Sequence, residues 1–158
     1  MPRPGRAVRG WELSGNADRG HVLYLDREHA RHGAREVANK ADLLSLLHRL
    51  FGARVQVFQS GEHSVRDTVA LFGGASIIIG PHGSALQNMF WCRPGTTVIE
   101  LYPKGMLASL AYSTFWVESQ ELLLQYWAVP VDGDYGTLLH VPLDSIERGL
   151  VLLRAGGS

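Results

Sequence analysis

The sequence has a single cysteine, Cys92, so it forms no internal disulfide and no zinc cluster of paired cysteines. It has no excess of charge: Lys+Arg and Asp+Glu number 15 each, and the formal net charge is zero. A neutral chain gives no general electrostatic attraction to nucleic acid or to an acidic membrane surface. It has no apolar run long enough to span a membrane. The charged N-terminus, from Met1 to Gly10, is followed by no apolar stretch and is therefore no signal peptide. The seven histidines show no HxxxH or HxH spacing, so no metal site is expected. Neither GxSxG, a P-loop nor GxGxxG occurs.

What is present is a chain of 158 residues, 46% hydrophobic, which suits one domain with a core large enough to fold. Its positive charge is mostly arginine, the side chain best shaped for forked contacts to phosphate. Residues 1–20 are rich in Pro, Gly and Arg and read as a loose arm, and 21–158 read as the folded domain. In that part, short apolar runs alternate with amphipathic ones.

Strands are expected at 22–25, 54–58, 76–79, 97–101 and 125–131. Helices are expected at 42–51, from Ser64 as a cap to Phe72, at 84–91, through most of 106–124, and at 142–154. A short extended piece is expected at 138–141. The run Ser76-Ile77-Ile78-Ile79 holds three consecutive β-branched apolar residues, as in a strand buried on both faces. Strands alternating with helices predict an α/β fold with a doubly wound, mostly parallel sheet.

In such a sheet ligands bind beyond the carboxyl ends of the strands. The loop Gly80-Pro81-His82-Gly83-Ser84 is the strongest candidate. Gly80 and Gly83 let the backbone turn tightly and leave room for a ligand. Ser84 is placed to cap the following helix, whose N–H groups and dipole attract phosphate. His82 is aimed at the same space as a hydrogen-bond donor. Spacing alone leaves this reading level with a Gly-rich turn around a partly buried histidine.

The segment Gly80-Pro81-His82-Gly83-Ser84-Ala85-Leu86-Gln87-Asn88-Met89-Phe90, followed by Pro94-Gly95-Thr96-Thr97-Val98-Ile99-Glu100-Leu101, resembles the HGAGL…N…F…PG…V-E signature of glycosyltransferase family 61. Val22 to Arg27 is similar to a family strand ending in Arg, and Arg35-Glu36-Val37-Ala38-Asn39 to its R-x-x-x-N. Leu110-Ala111 and Tyr126 match a later helix and a tyrosine on the next strand. The resemblance implies a Rossmann-like domain like the C-terminal, nucleotide-sugar-binding half of a GT-B enzyme. It implies inverting transfer of a sugar from a UDP-linked donor to a polysaccharide or glycoprotein acceptor, without metal or other cofactor. Arg27, Arg35, His82, Gly83 and Ser84 would face the diphosphate, with His82 and Arg35 stabilising the leaving group. Gly80 and Ala85 complete the loop, and Asn39, Asn88 and Glu100 would shape the nucleotide pocket. Ser84-Ala85 replaces the family's Ala-Gly, and the loop between Arg27 and Arg35 is longer than in the pattern. The N-terminal half, with much of the acceptor site and the general base, is expected in cis or in trans. Family relatives work in the Golgi or endoplasmic reticulum behind an anchor, which is not seen in this sequence.

Blander readings stand beside these. Asn39 and Asp42 suit a helix cap, Asn88 an exposed helix position, Glu100 an ion pair with a local Arg, and Arg27 and Arg35 a solvated loop. Asp132-Gly133-Asp134 spells the manganese motif of the other main glycosyltransferase fold, yet it sits in a Pro/Gly context and reads as a turn. Cys92 reads as a small buried apolar residue beside Trp91. Trp116, Tyr126 and Trp127 are expected in the core. A non-catalytic remnant and an unrelated Rossmann-like nucleotide-binding protein remain the alternatives to an enzyme module.

Overall fold

The computed structural model describes residues 20–27, 34–107 and 114–155. Five strands, β1 (His21–Asp26), β2 (Val55–Gln59), β3 (Ala75–Pro81), β4 (Thr97–Pro103) and β5 (Gln125–Val131), form one sheet in the order β2-β1-β3-β4-β5. Every pairing in it is parallel. Four α-helices cover it: α1 (Lys40–Phe51), α2 (Val65–Gly74), α3 (Thr114–Glu121) and α4 (Leu143–Ala155). This is a doubly wound, Rossmann-like α/β fold, as the alternation of strand and helix predicts.

The face each helix takes follows from chain direction. Parallel crossovers are right-handed, so a connection that moves one way along the sheet crosses one face and its reverse crosses the other. From β1 to β2 the chain steps outward, and α1 lies on the first face. From β2 to β3, β3 to β4 and β4 to β5 it moves the opposite way, which puts α2, residues 84–91 and α3 on the second face. The core divides accordingly. Val22, Tyr24, Ile77, Ile79, Ile99 and Leu101 pack under Leu43, Leu47, Ile146 and Leu150 of α1 and α4. Their strand neighbours Leu23, Leu25, Ile78 and Val98 pack under Phe72, Leu86, Met89 and Phe115. Alternation with period two sends successive side chains to opposite faces, so strands that are apolar throughout suit a sheet covered twice.

Local signals account for the helix ends. Ser64 caps α2, its side chain accepting from the Asp67 N–H at 3.1 Å. Asn39 stands at the N-cap of α1 but makes no side-chain cap there. Its amide instead donates to the Val141 carbonyl at 2.9 Å and accepts the Val141 N–H at 3.0 Å. This two-way clasp joins the start of α1 to the lead-in of α4, 102 residues away. Val37 and Leu139 bridge in parallel beside it, so residues 138–141 are extended as expected. Asn39→Ala strips both partners from a buried backbone unit. We expect a loss of about 2 kcal/mol in urea unfolding, with Asn39→Asp, which keeps the acceptor only, in between.

Two expected helices differ. Residues 84–91 form a 3-10 helix throughout, and residues 104–106 form another 3-10 turn. The long helix expected through 106–124 is described only as the eight residues of α3, which Leu123 follows at a left-handed φ of 56°. Leu110 and Ala111 lie outside the described residues, as does the arm apart from Gly20. Trp116 is 54% exposed on α3 and so is not the core residue expected, because α3 turns Phe115 to the sheet instead. Among the described residues no helix is long and apolar enough to cross a membrane.

Candidate functional site

The strand order reverses between β1 and β3, from which the chain leaves toward opposite faces. That leaves a crevice beyond their carboxyl ends, the usual ligand position in a doubly wound sheet. Arg27 is the first residue after β1, and His82-Gly83 are the first after β3. The expected loop therefore lies at the switch point. Its backbone is held to the sheet, because the His82 N–H still donates to the Leu101 carbonyl at 3.1 Å.

Gly83 is where the charged groups meet. A Cβ there would lie 2.1 Å from Arg27 Nη1 and 3.8 Å from Arg35 Nη1, so two guanidinium groups lie over a bare stretch of backbone. Arg35 is buried, and its Nη1 donates to the His82 carbonyl at 3.0 Å. Its guanidinium lies over the Tyr135 ring, 4.0 Å from the centroid. Arg27 is half-buried, and neither arginine is ion-paired to a carboxylate among the described residues. The Nε of each is buried with no hydrogen-bond partner. Burial, and after it the neighbouring Arg35 charge, pulls the Arg27 pKa below the ordinary arginine value. Two neighbouring guanidinium groups, neither ion-paired among the described residues, are the kind of arrangement that an anion would satisfy.

Arg35 is held in place by its backbone. Its φ is 63°, a left-handed conformation uncommon for a residue with a Cβ, of the kind that gathers at functional sites. Its N–H donates to the Thr137 carbonyl at 2.8 Å, and the Leu139 N–H donates to the Glu36 carbonyl at 2.7 Å. The loop around residues 132–139 therefore builds the site, supplying Tyr135 as a platform and Thr137 as an anchor. Sequence reasoning missed both. The turn read at Asp132-Gly133-Asp134 falls slightly later, at Tyr135-Gly136, where the Thr137 N–H donates to the Asp134 carbonyl at 3.2 Å; Asp132 instead bridges His140 and pairs with Lys104 at 2.6 Å. Among the described residues no three His, Cys, Asp or Glu side chains gather to hold a metal.

Glu100 lies in the middle of β4 with no exposed surface. An ionised carboxylate only accepts hydrogen bonds and is costly to bury unless it is satisfied. One oxygen of Glu100 meets Nδ1 of His82 and the other takes the Tyr126 hydroxyl. Its partners are thus a histidine and a tyrosine, not the local arginine weighed from sequence. The imidazole is wedged edge-on between Tyr102 and Phe115, with ring centroids at 5.6 and 5.3 Å.

The remaining predicted residues separate. Gly80 is an interior residue of β3, and a Cβ there would lie 2.5 Å from Leu25 Cβ. Its bareness makes room for strand β1, not for a ligand. Ser84 is exposed and does not cap, because Gly83 holds the cap position and no side-chain bond is made there. Ala85 is buried under the sheet, and Asn88 bonds locally to the Ala85 carbonyl at 3.1 Å. Asn39 is taken up by Val141. Cys92 is packed against the second-face core, and burial pushes its thiol up to about 12, so it is an inert structural residue.

The parallel sheet, its strand order and the crevice at its switch point define a Rossmann-like domain, with two guanidinium groups gathered over Gly83. Residues 12–99 match the family described as Glycosyltransferase 61, and the chain belongs to that family. Among curated proteins it is similar to protein O-linked-mannose beta-1,4-N-acetylglucosaminyltransferase 2. With that of Takifugu rubripes it shares 34% identity over 74 residues, 47% of this chain and 12% of the relative. With that of Xenopus laevis it shares 28% over 94 residues, 60% of this chain and 16% of the relative. With that of Homo sapiens it shares 32% over 69 residues, 44% of this chain and 12% of the relative. The chain thus spans under one fifth of the length of these relatives.

Proposed function

We propose that this chain is the donor-holding domain of an inverting, GT-B-type glycosyltransferase, and that its site grips the diphosphate of a UDP-linked sugar. The observation that carries this reading is the pair Arg27 and Arg35, neither ion-paired to a carboxylate among the described residues and both over the Gly83 backbone. In glycosyl transfer, negative charge grows on the departing diphosphate. Donors already fixed in place lower that barrier with no reorganisation, each typically by roughly 3 kcal/mol. Arg27 and Arg35 supply charge, and His82 a ring nitrogen on the side away from Glu100. We assign the general base and much of the acceptor site to a second half, in cis or in trans. The acceptor is a glycan or glycoprotein, and the setting the Golgi or endoplasmic reticulum.

The relatives' printed name makes UDP-N-acetylglucosamine the first donor to try. Calorimetry with UDP, GDP, UDP-N-acetylglucosamine and NAD separates the readings. We expect UDP and the UDP-sugar to bind and GDP and NAD to bind at least about tenfold more weakly, a difference of ~1.4 kcal/mol. Binding of none of the four would mark a domain that has lost its ligand, and preference for NAD would mark a dinucleotide-binding protein.

A further inference from the structure

Across β5, β4 and the loop after β3 runs a polar chain: the Tyr126 hydroxyl, the Glu100 carboxylate and the His82 imidazole. It lies among apolar side chains, with Glu100 wholly enclosed and His82 only 7% exposed. An apolar trio of the same volume would fill this space with no desolvation penalty, so the polar chain needs another reason to be there. We infer that Glu100 and Tyr126 are positioning residues for His82: the phenol holds the carboxylate, and the carboxylate holds the imidazole in one orientation. This rests on the donor-site reading given above.

The chemistry supports each link. A carboxylate has only acceptor positions, so Glu100 accepts a hydrogen bond from each side, from Nδ1–H of the ring and from O–H of the phenol. Bonding at Nδ1 fixes the orientation of the ring and which nitrogen faces Glu100, the role a carboxylate plays toward histidine in many sites. Tyr126 then keeps the second oxygen of Glu100 from turning toward the imidazole. Burial and, next to it, the Glu100 charge raise the phenol's pKa, so it stays a donor throughout the neutral range. The register sets these distances: β4 and β5 pair Val98 with Tyr126 and Glu100 with Ala128, placing the phenol one step back along the neighbouring strand.

The test combines a spectroscopic signal with affinity. In protein labelled with nitrogen-15 at histidine, His82 should show an Nδ1-bound proton shifted far downfield and slow to exchange. Tyr126→Phe should move that resonance, speed its exchange and weaken UDP binding about tenfold, as expected for one hydrogen bond to a charged group. Glu100→Gln, whose amide can present its NH₂ to the ring, should abolish the signal and weaken binding further. Trp127→Phe, on the same strand but packed against the other face, serves as the stability control and should leave the resonance in place. If Tyr126→Phe leaves the His82 proton unchanged in position and exchange, or shifts it no more than Trp127→Phe does, the proposal is wrong. If the resonance moves while UDP affinity stays at the parent's value, the positioning role is likewise refuted. A parent protein that binds no UDP overturns the donor-site reading instead, and the resonance alone then decides whether the phenol orients the ring.

Discussion

Replacing Arg27 and Arg35 together by glutamine should weaken UDP-sugar binding by at least about 100-fold, because each charge-assisted hydrogen bond contributes roughly 1.5–3 kcal/mol. The single Arg27→Gln variant should lose about tenfold or more on the same scale. Its unliganded fold should be as stable as the parent or more so. Arg27 is half-buried, it lies near a second guanidinium, and it is ion-paired to no carboxylate among the described residues, the Glu36 attraction being the smallest of the influences on it. Removing such a charge relieves repulsion and desolvation together. A structural arginine would behave in the opposite way, with lost stability and unchanged affinity. Calorimetry against UDP-N-acetylglucosamine, paired with urea unfolding with and without UDP, reads both quantities. Parent-like affinity in the double variant would sink the assignment of these arginines to the diphosphate.

The second large effect is on stability. Gly80→Ala should cost about 3 kcal/mol, the upper range for forcing extra atoms into a close-packed site. The added Cβ would meet Leu25 Cβ at 2.5 Å and the Leu25 carbonyl oxygen at 3.0 Å. The second of these is backbone, which no rotamer change can move. β1 and β3 would have to separate at the one place where the crevice opens, so Arg27 would be displaced as well. Equilibrium urea denaturation checks this. A variant with the parent's midpoint would mean that β1 and β3 do not approach as closely as described here.

Much of the fold is legible in the residues because it follows from local chemistry. The three isoleucines from Ile77 to Ile79 suit a strand covered on both faces, and Ser64 with Asp67 marks the start of α2. The loop at His82 and Gly83 is legible too, since strand-to-helix glycines at a carboxyl end are a familiar arrangement. What the sequence hides is register and return. His82 and Glu100 are 18 residues apart and Glu100 and Tyr126 are 26, and only the pairing of β3, β4 and β5 brings them together. One clue was available: a glutamate between Ile99 and Leu101 in an apolar strand needs buried partners. Residues 35–38 meet 137–139 through backbone bonds, which leave no trace in periodicity. Gly80 was legible as a required glycine, but the reason for it was not, because that lies on a neighbouring strand.

The bond between Arg35 and Thr137 also sets the order in which the protein can become functional during synthesis. The first four strands end at residue 103, well before Thr137 is made. A nascent chain that has emerged only as far as β4 can already assemble most of its sheet and carries His82, Gly83, Arg27 and Arg35. It still has nothing to hold Arg35 in its left-handed conformation. Contacts between distant parts of a chain form late, because long loops must close first. The Arg35 conformation is therefore set only after most of the sheet exists, and stopping translation short of residue 137 would leave a sheet with both arginines and nothing to hold Arg35 in place.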